Sequence, residues 1–183
     1  NNGGARNYFV TDSSIEDTEK LKKLAHGWVA KKPVSIAAEW CYEDIPNKVL
    51  FERLLPRDER NDLPDYKFFC FDGEPRYLFV ATDRQKQGEE TKFDFFDMDF
   101  NHLPFTIDHD MAATPPEKPS CFEEMKRLAA ILSEGTPQLR VDFYEVDGKV
   151  YFGEMTFFHC GGMVTVQPYE WNLKMGEMIT LPQ

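Results

Sequence analysis

Arg140 and Asp142 stand two apart, and further along the chain Glu154 and Thr156 stand two apart. That spacing puts each pair on one face of a strand. Between the pairs lies Asp147-Gly148, residue types that accept the positive φ of a tight two-residue turn. A hairpin closed there pairs positions whose numbers sum to about 295, so Asp142 falls opposite position 153 and close to Glu154. A bulge would shift this by one. Two carboxylates, a hydroxyl and a guanidinium then meet on neighbouring strands. Carboxylate oxygens that close together repel unless a cation lies between them, and Mg²⁺ takes a few such oxygens together with substrate phosphates. Just beyond, the glycines of His159-Cys160-Gly161-Gly162 would let backbone amides approach a ligand. The pattern points to a metal and phosphate site. A solvated sheet face with cross-strand ion pairs accounts for the same spacing.

The elements needed to position these residues are legible from periodicity. Residues 15–31 carry Leu21, Leu24, Ala25, Trp28 and Val29 at helical steps, with Ser14 or Asp12 as cap and Pro33 as stop. Residues 48–55 read as a short buried strand that ends at Pro56. Runs 66–71 and 76–82 flank Asp72-Gly73, a second hairpin signal. The proline-rich stretch 111–120 reads as an irregular surface connection. Ser120, with Glu123 three positions on, predicts a capping box for a helix over 121–133 that stops at Gly135. Strands 138–146 and 149–158 form the hairpin that carries the polar cluster, and a last helix is expected near 171–179. The sum is an α+β fold, a mainly antiparallel sheet with helices packed on one side.

Composition narrows the function classes. The chain has 183 residues, 42% of them hydrophobic, enough for one real core. Its net charge of −11 gives a polyanion a repulsive field, so no nucleic acid partner is expected. No apolar run is long enough to span a membrane. Cys41, Cys70, Cys121 and Cys160 form no CxxC pair, so we expect buried free thiols in a reducing, cytoplasmic setting and no structural zinc. The start, Asn1-Asn2-Gly3-Gly4, has neither an initiator Met nor a signal pattern, and a native segment upstream is expected.

Several pieces in order give the chain a family likeness. They are Asn1-Asn2-Gly3-Gly4, Trp40-Cys41-Tyr42, Phe51-Glu52, Asp65-Tyr66-Lys67-Phe68, Thr82-Asp83-Arg84, Arg140-Val141-Asp142 and Gly153-Glu154-Met155-Thr156-Phe157. Together they resemble the ATP-grasp superfamily, in its teichuronopeptide-biosynthesis (TupA-like) branch, over nearly the whole length. The resemblance implies that Asp142 and Glu154 bind Mg²⁺, with Thr156 where many ATP-grasp proteins have an Asn ligand. It implies that Arg140 steadies the transferred phosphoryl group, that Lys67 is directed at the ATP phosphates, and that Arg84 contacts the carboxylate or its acyl phosphate. Glu52, Arg53 and Leu55 match the hinge that holds adenine, Glu59 a ribose-binding acid, and Gly3 and Gly4 the loop over the phosphates. Residues 1–47 would then end the small ATP-grasp subdomain and 48–183 form the larger one. The lysine expected before the glycine loop and the amino-terminal substrate domain are not in this sequence.

The function so implied is an ATP-dependent carboxylate–amine ligase acting through an acyl phosphate. ATP and Mg²⁺ would be its cofactors, and a small or polysaccharide-linked carboxylate and an amine such as an amino acid its substrates. Cell-surface polysaccharide or teichuronopeptide biosynthesis would be its setting. Alternatives are a non-catalytic nucleotide-binding remnant, a polysaccharide glycosyltransferase or a kinase. Asp97-Met98-Asp99 is an Asp-x-Asp match for a glycosyltransferase. His159, which follows the site strand, reads as a packed or exposed histidine or as a substrate contact.

Overall fold

The computed structural model describes residues 6–12, 16–30, 42, 44–59, 61–84 and 88–181. Gly3, Gly4, Ser14, Pro33, Trp40 and Cys41 lie outside the described residues. The chain divides into two compact units, Asn1–Leu55 and Pro56–Gln183.

In the first unit the predicted amphipathic helix is present as α1, Thr18–Ala30. Asp17 caps it, its Oδ1 accepting from the amides of Glu19 and Lys20 at 2.9 and 3.1 Å. Leu21, Leu24, Ala25 and Trp28 are half-buried along one stripe, while Val29 is exposed. The expected buried strand over 48–55 does not form: Leu50 is 79% and Phe51 87% exposed, and no ladder includes this run. A strand exists through its neighbour's hydrogen bonds, and no described residue of this unit offers a pairing edge. Apolar composition alone misled here.

The second unit is built on a five-stranded sheet in the order β3-β2-β1-β5-β6, from β1 Asp65–Phe71, β2 Glu74–Thr82, β3 Lys92–Asp97, β5 Gln138–Val146 and β6 Lys149–Thr156. Every pairing is antiparallel. Both predicted turns are there: Asp72 and Gly73 have φ of 50° and 78°, Asp147 and Gly148 of 52° and 68°. These left-handed angles are what the two-residue hairpin needs, which is why Asp-Gly was informative.

Strand parity divides the core into two layers. Tyr66, Phe68, Cys70, Leu78, Val80, Phe96, Leu139, Val141 and Phe143 point to one face. Against them packs the helix α2, Phe122–Ser133, through Phe122, Met125 and Ala129. Burying side chains the size of Phe122 and Met125 stabilises by about 1.5–3 kcal/mol each. Phe69, Phe71, Tyr77, Phe79, Ala81 and Phe95 point to the other face. A ribbon of β4, Thr106–Ile107, and β7, Val166–Gln167, covers it together with α3, Tyr169–Glu177. Trp171 of α3 stacks on Phe105 at 4.6 Å. Helices therefore flank both faces, not one as expected, because a central strand buried along its whole length, as β1 is, must be covered on each side.

The start of α2 also departs from expectation. Ser120 and Glu123 form no capping box; the N-cap is Cys121. Glu145 of β5 takes the capping role, accepting from the Cys121 amide at 3.1 Å and from the Ser120 hydroxyl. Lys118 instead holds Glu123 at 2.9 Å. Among the described cysteines only Cys70 is fully buried; Cys121 is half-buried and Cys160 exposed. No helix among the described residues is long and apolar enough to cross a membrane.

One irregularity sets the register of the site. Asp142 pairs with Glu154, but Phe143 pairs with Phe152, so Gly153 is the extra residue of a bulge. A Cβ at Gly153 would meet the Asp142 carbonyl oxygen at 3.0 Å and the Tyr144 ring at 3.2 Å. Gly153→Ala is therefore expected to cost about 1–3 kcal/mol by pushing β6 away from β5, measured as a lower urea midpoint at unchanged slope. A variant as stable as the wild type would show that β6 absorbs the methyl group freely.

Candidate functional site

On the sheet face opposite α2, Lys67 lies across from Asp142 and Phe69 across from Arg140. On the far side of β5, Asp142 faces Glu154 and Arg140 faces Thr156. The period-two spacing thus brings four of the predicted residues together with Lys67 of the central strand. Asp142 is 1% exposed, and Lys67, Arg140 and Thr156 are buried with it.

Asp142 is the hub. Arg140 grips it with both arms, Nε to Oδ1 and Nη2 to Oδ2, each at 2.8 Å. Lys67 Nζ donates to Oδ2 as well. The same Arg140 Nη2 donates to the Thr156 hydroxyl at 2.9 Å, and that hydroxyl donates to Glu154 Oε1 at 2.7 Å. Arg140 Nη1 reaches His159 Nδ1 at 2.6 Å. Glu154 keeps 48% of its side chain exposed, so the cluster is dry at Asp142 and wet at Glu154.

Behind Lys67 stands a residue that the sequence motif contains but to which no role was assigned. Asp65, on the same face of β1 and 1% exposed, accepts from Lys67 Nζ at 2.7 Å, from Arg84, and from the Tyr144 hydroxyl at 3.3 Å, all on Oδ2. Its Oδ1 is buried with no hydrogen-bond partner among the described residues. Next to Arg84, the Asp83 amide donates to Asp62 Oδ2 at 2.9 Å. The signal for Asp65 and Tyr144 was present in the spacing: each sits two residues from a predicted site residue on the same strand. His159, expected as a packed or exposed histidine or as a substrate contact, is half-buried and packed, its ring edge-on to Phe69 at 5.2 Å.

Burial and charge act together here. Burial alone would lower the Arg140 pKa, but the hydrogen bonds and charge of Asp142, with Glu154 and Asp65, carry it above its ordinary value. Burial pushes Asp65 up, aided by the charge of Asp142 and opposed by Lys67 and Arg84. Burial, then the Arg140 charge, lowers His159 to about 4. His159 is therefore neutral at physiological pH and accepts from Arg140. Three cations, Lys67, Arg84 and Arg140, stand against three carboxylates, Asp65, Asp142 and Glu154. The repulsion that argued for a metal between Asp142 and Glu154 is thus already met by a guanidinium and an ammonium.

Donor chemistry nevertheless fits a hard cation. A carboxylate offers about four acceptor positions, and Asp142 uses three of them. Glu154 commits Oε1 to Thr156. Among the described residues no group of three or more His, Cys, Asp or Glu is placed to hold a metal by itself. Two carboxylates plus nucleotide phosphates is the smaller set that Mg²⁺ commonly uses.

The remaining expectations fall elsewhere. Glu52 and Arg53 are exposed and Leu55 half-buried in the first unit, and Glu59 is exposed at the start of the second. Gly3 and Gly4 lie outside the described residues. In the glycine loop, the amides of Gly161 and Met163 bond back to Phe158 and Cys160, closing a 3-10 turn, His159–Gly162. Asp97-Met98-Asp99 is a turn device: Asp97 accepts from the amides of Asp99 and Asn101 at 2.9 and 2.8 Å.

A family model described as TupA-like ATPgrasp matches residues 1–180 of the chain. No curated protein and no solved structure matches it.

The depressed His159 value makes a signed prediction. Its folded pKa of about 4 lies below the ordinary 6.5, so the neutral form is favoured by folding. That stability is fully present above pH 6.5 and is lost as pH falls toward 4. His159→Gln keeps an acceptor for Arg140 but cannot titrate. Urea unfolding across that window should show the wild type losing roughly 3 kcal/mol more than the variant. Parallel pH profiles would show that His159 is not held neutral by this site.

Proposed function

Because the chain belongs to the TupA-like ATP-grasp family, we propose that it binds Mg-ATP and joins a carboxylate to an amine. The observation that supports this most is the cluster of buried Lys67, Asp142, Arg140 and Thr156 with exposed Glu154 on one sheet face. It concentrates oriented cationic donors beside carboxylate oxygens, which phosphoryl transfer needs for positioning and charge neutralisation.

In this proposal Asp142 and Glu154 hold Mg²⁺ and Thr156 keeps Glu154 aligned. Bound there, the ion would screen the charge on the transferring phosphoryl group. Lys67 is directed at the phosphates and Arg140 at the phosphoryl group as it moves, work that suits a planar and permanently charged donor. Arg84 receives the substrate carboxylate. The backbone of Glu52 to Leu55, with Arg53 between, holds adenine, Glu59 the ribose, and Gly3 and Gly4 close over the phosphates. Residues 1–47 end the small subdomain and 48–183 form the larger.

The reaction is balanced as two displacements. A carboxylate oxygen attacks the γ-phosphorus, the bond to the β–γ bridging oxygen breaks, and ADP leaves. The amine nitrogen then attacks the acyl carbon, phosphate leaves with the acyl oxygen's electron pair, and the nitrogen gives up its proton to solvent. A uronic-acid or polysaccharide-linked carboxylate in cell-surface biosynthesis, amidated with an amino acid, is the proposed substrate class.

Equilibrium dialysis with Mg-ATP, then ADP release against a panel of uronic acids and amino acids, tests this. ADP release is expected only when a carboxylate and an amine are both present. Asp142→Ala or Glu154→Ala should slow it about a hundredfold, roughly 3 kcal/mol in the barrier, with near-native circular dichroism. ADP release that needs no amine would make the protein a kinase, and binding without turnover a nucleotide-binding protein. Absence of both would overturn the proposal.

A further inference from the structure

Lys67 is shared between two buried carboxylates, Asp142 on one side and Asp65 on the other, with Nζ in contact with both. The two partners are not equivalent. Asp142 has Arg140 as a second, bidentate cation, so it does not depend on Lys67 alone. Asp65 has Arg84, whose side chain is 47% exposed, the Tyr144 hydroxyl, and an oxygen, Oδ1, with no partner among the described residues. A buried acceptor left unpaired is costly, so Asp65 has both the capacity and the incentive to take a second Lys67 hydrogen.

We propose that Lys67 is an exchangeable counter-ion, neutralising Asp142 in the ligand-free protein, and that Asp65 is the positioning residue that keeps it when a divalent cation takes over Asp142. This rests on the metal role given to Asp142 above. An ammonium and a divalent cation compete for the one Asp142 carboxylate, since like charges at contact distance repel strongly where water is scarce. Arrival of the cation weakens the Lys67–Asp142 pair and leaves Asp65 as the anchor of Lys67. The ammonium has three donors; held by Asp65 through one or two, it keeps one for a phosphate oxygen. Without Asp65, Lys67 would settle wholly on Asp142, block the cation and be unavailable to the nucleotide. Asp65 acts through Lys67 and need touch neither ligand.

The test uses Mn²⁺ alone as probe, with free ion counted by electron paramagnetic resonance in the absence of nucleotide. Lys67→Met, with Lys67→Gln as a second variant in case the first folds poorly, should bind Mn²⁺ about tenfold more tightly than wild type. A gain of affinity is something a merely damaged fold does not produce. The same variants should bind ATP more weakly, so the two effects have opposite signs. Asp65→Asn should bind Mn²⁺ several-fold more weakly, and adding it to Lys67→Met should cost nothing further. Equal or weaker Mn²⁺ binding in both Lys67 variants would overturn the exchange. An equal loss from Asp65→Asn in both backgrounds would show bulk charge at work and overturn the positioning role. Asp142→Asn separates this proposal from the one it rests on. If it abolishes Mn²⁺ binding while the Lys67 variants do not tighten it, only the exchange falls. If neither wild type nor any variant binds Mn²⁺, the metal role of Asp142 falls, and the exchange with it.

Discussion

The bidentate grip of Arg140 on Asp142, shared with Lys67, is the interaction on which the arrangement of the sheet face depends. Asp142 sits at 1% exposure on the strand next to the centre of the sheet, where an unpaired carboxylate would cost several kcal/mol. It can be there only because β1 supplies an ammonium directly across and β5 itself supplies a guanidinium two residues away. Removing either cation leaves a buried charge without full compensation, so the three side chains form one unit. Such an arrangement is weak evidence for stability, since apolar residues of the same volume would fill the space as well. Its presence in the middle of an aromatic-rich sheet is better explained by use than by folding.

That unit constrains its surroundings in turn. Lys67 and Asp142 face one another only in the observed β1–β5 register, and a slip of one residue would send them to opposite faces. Glu154 reaches the cluster only because the Gly153 bulge moves β6 along by one at that point. Thr156 then links Arg140 to Glu154 through a single hydroxyl that accepts from one and donates to the other. The face opposite could be filled by packing alone, and α2 does so with Phe122, Met125 and Ala129.

Much of this was legible in the chain because it is local. Asp-Gly turns, period-two spacing and helical periodicity each depend on a few neighbouring residues. They located both hairpins, α1, α2 and α3, and the meeting of Arg140, Asp142, Glu154 and Thr156. What failed depended on partners distant in sequence. Residues 48–55 have the composition of a strand but no ladder, and Ser120 has the type of a cap but loses the role to Glu145, a residue 25 positions away. The second covered face could not be read, since β4, β7 and α3 pack on it through short elements of little periodicity. Asp65, though part of the Asp65-Tyr66-Lys67-Phe68 motif, was given no role because an acid at the start of a strand looks like a surface charge until the strand proves to be the central one.

A charge-balanced site also changes what a ligand must do. Three cations already answer three carboxylates, so on the proposed reading a nucleotide and its metal ion would not fill an empty field; they would rearrange one that is satisfied. The phosphates would bring negative charge for Arg140, Lys67 and Arg84, and the metal positive charge for Asp142 and Glu154, so each would take over contacts the protein makes with itself. Neither alone restores balance: metal without phosphates leaves surplus cations, and phosphates without metal leave the carboxylates uncovered. The site is therefore suited to taking the two together. On that reading the exposed Glu154 at its rim is the carboxylate that such a pair would meet first.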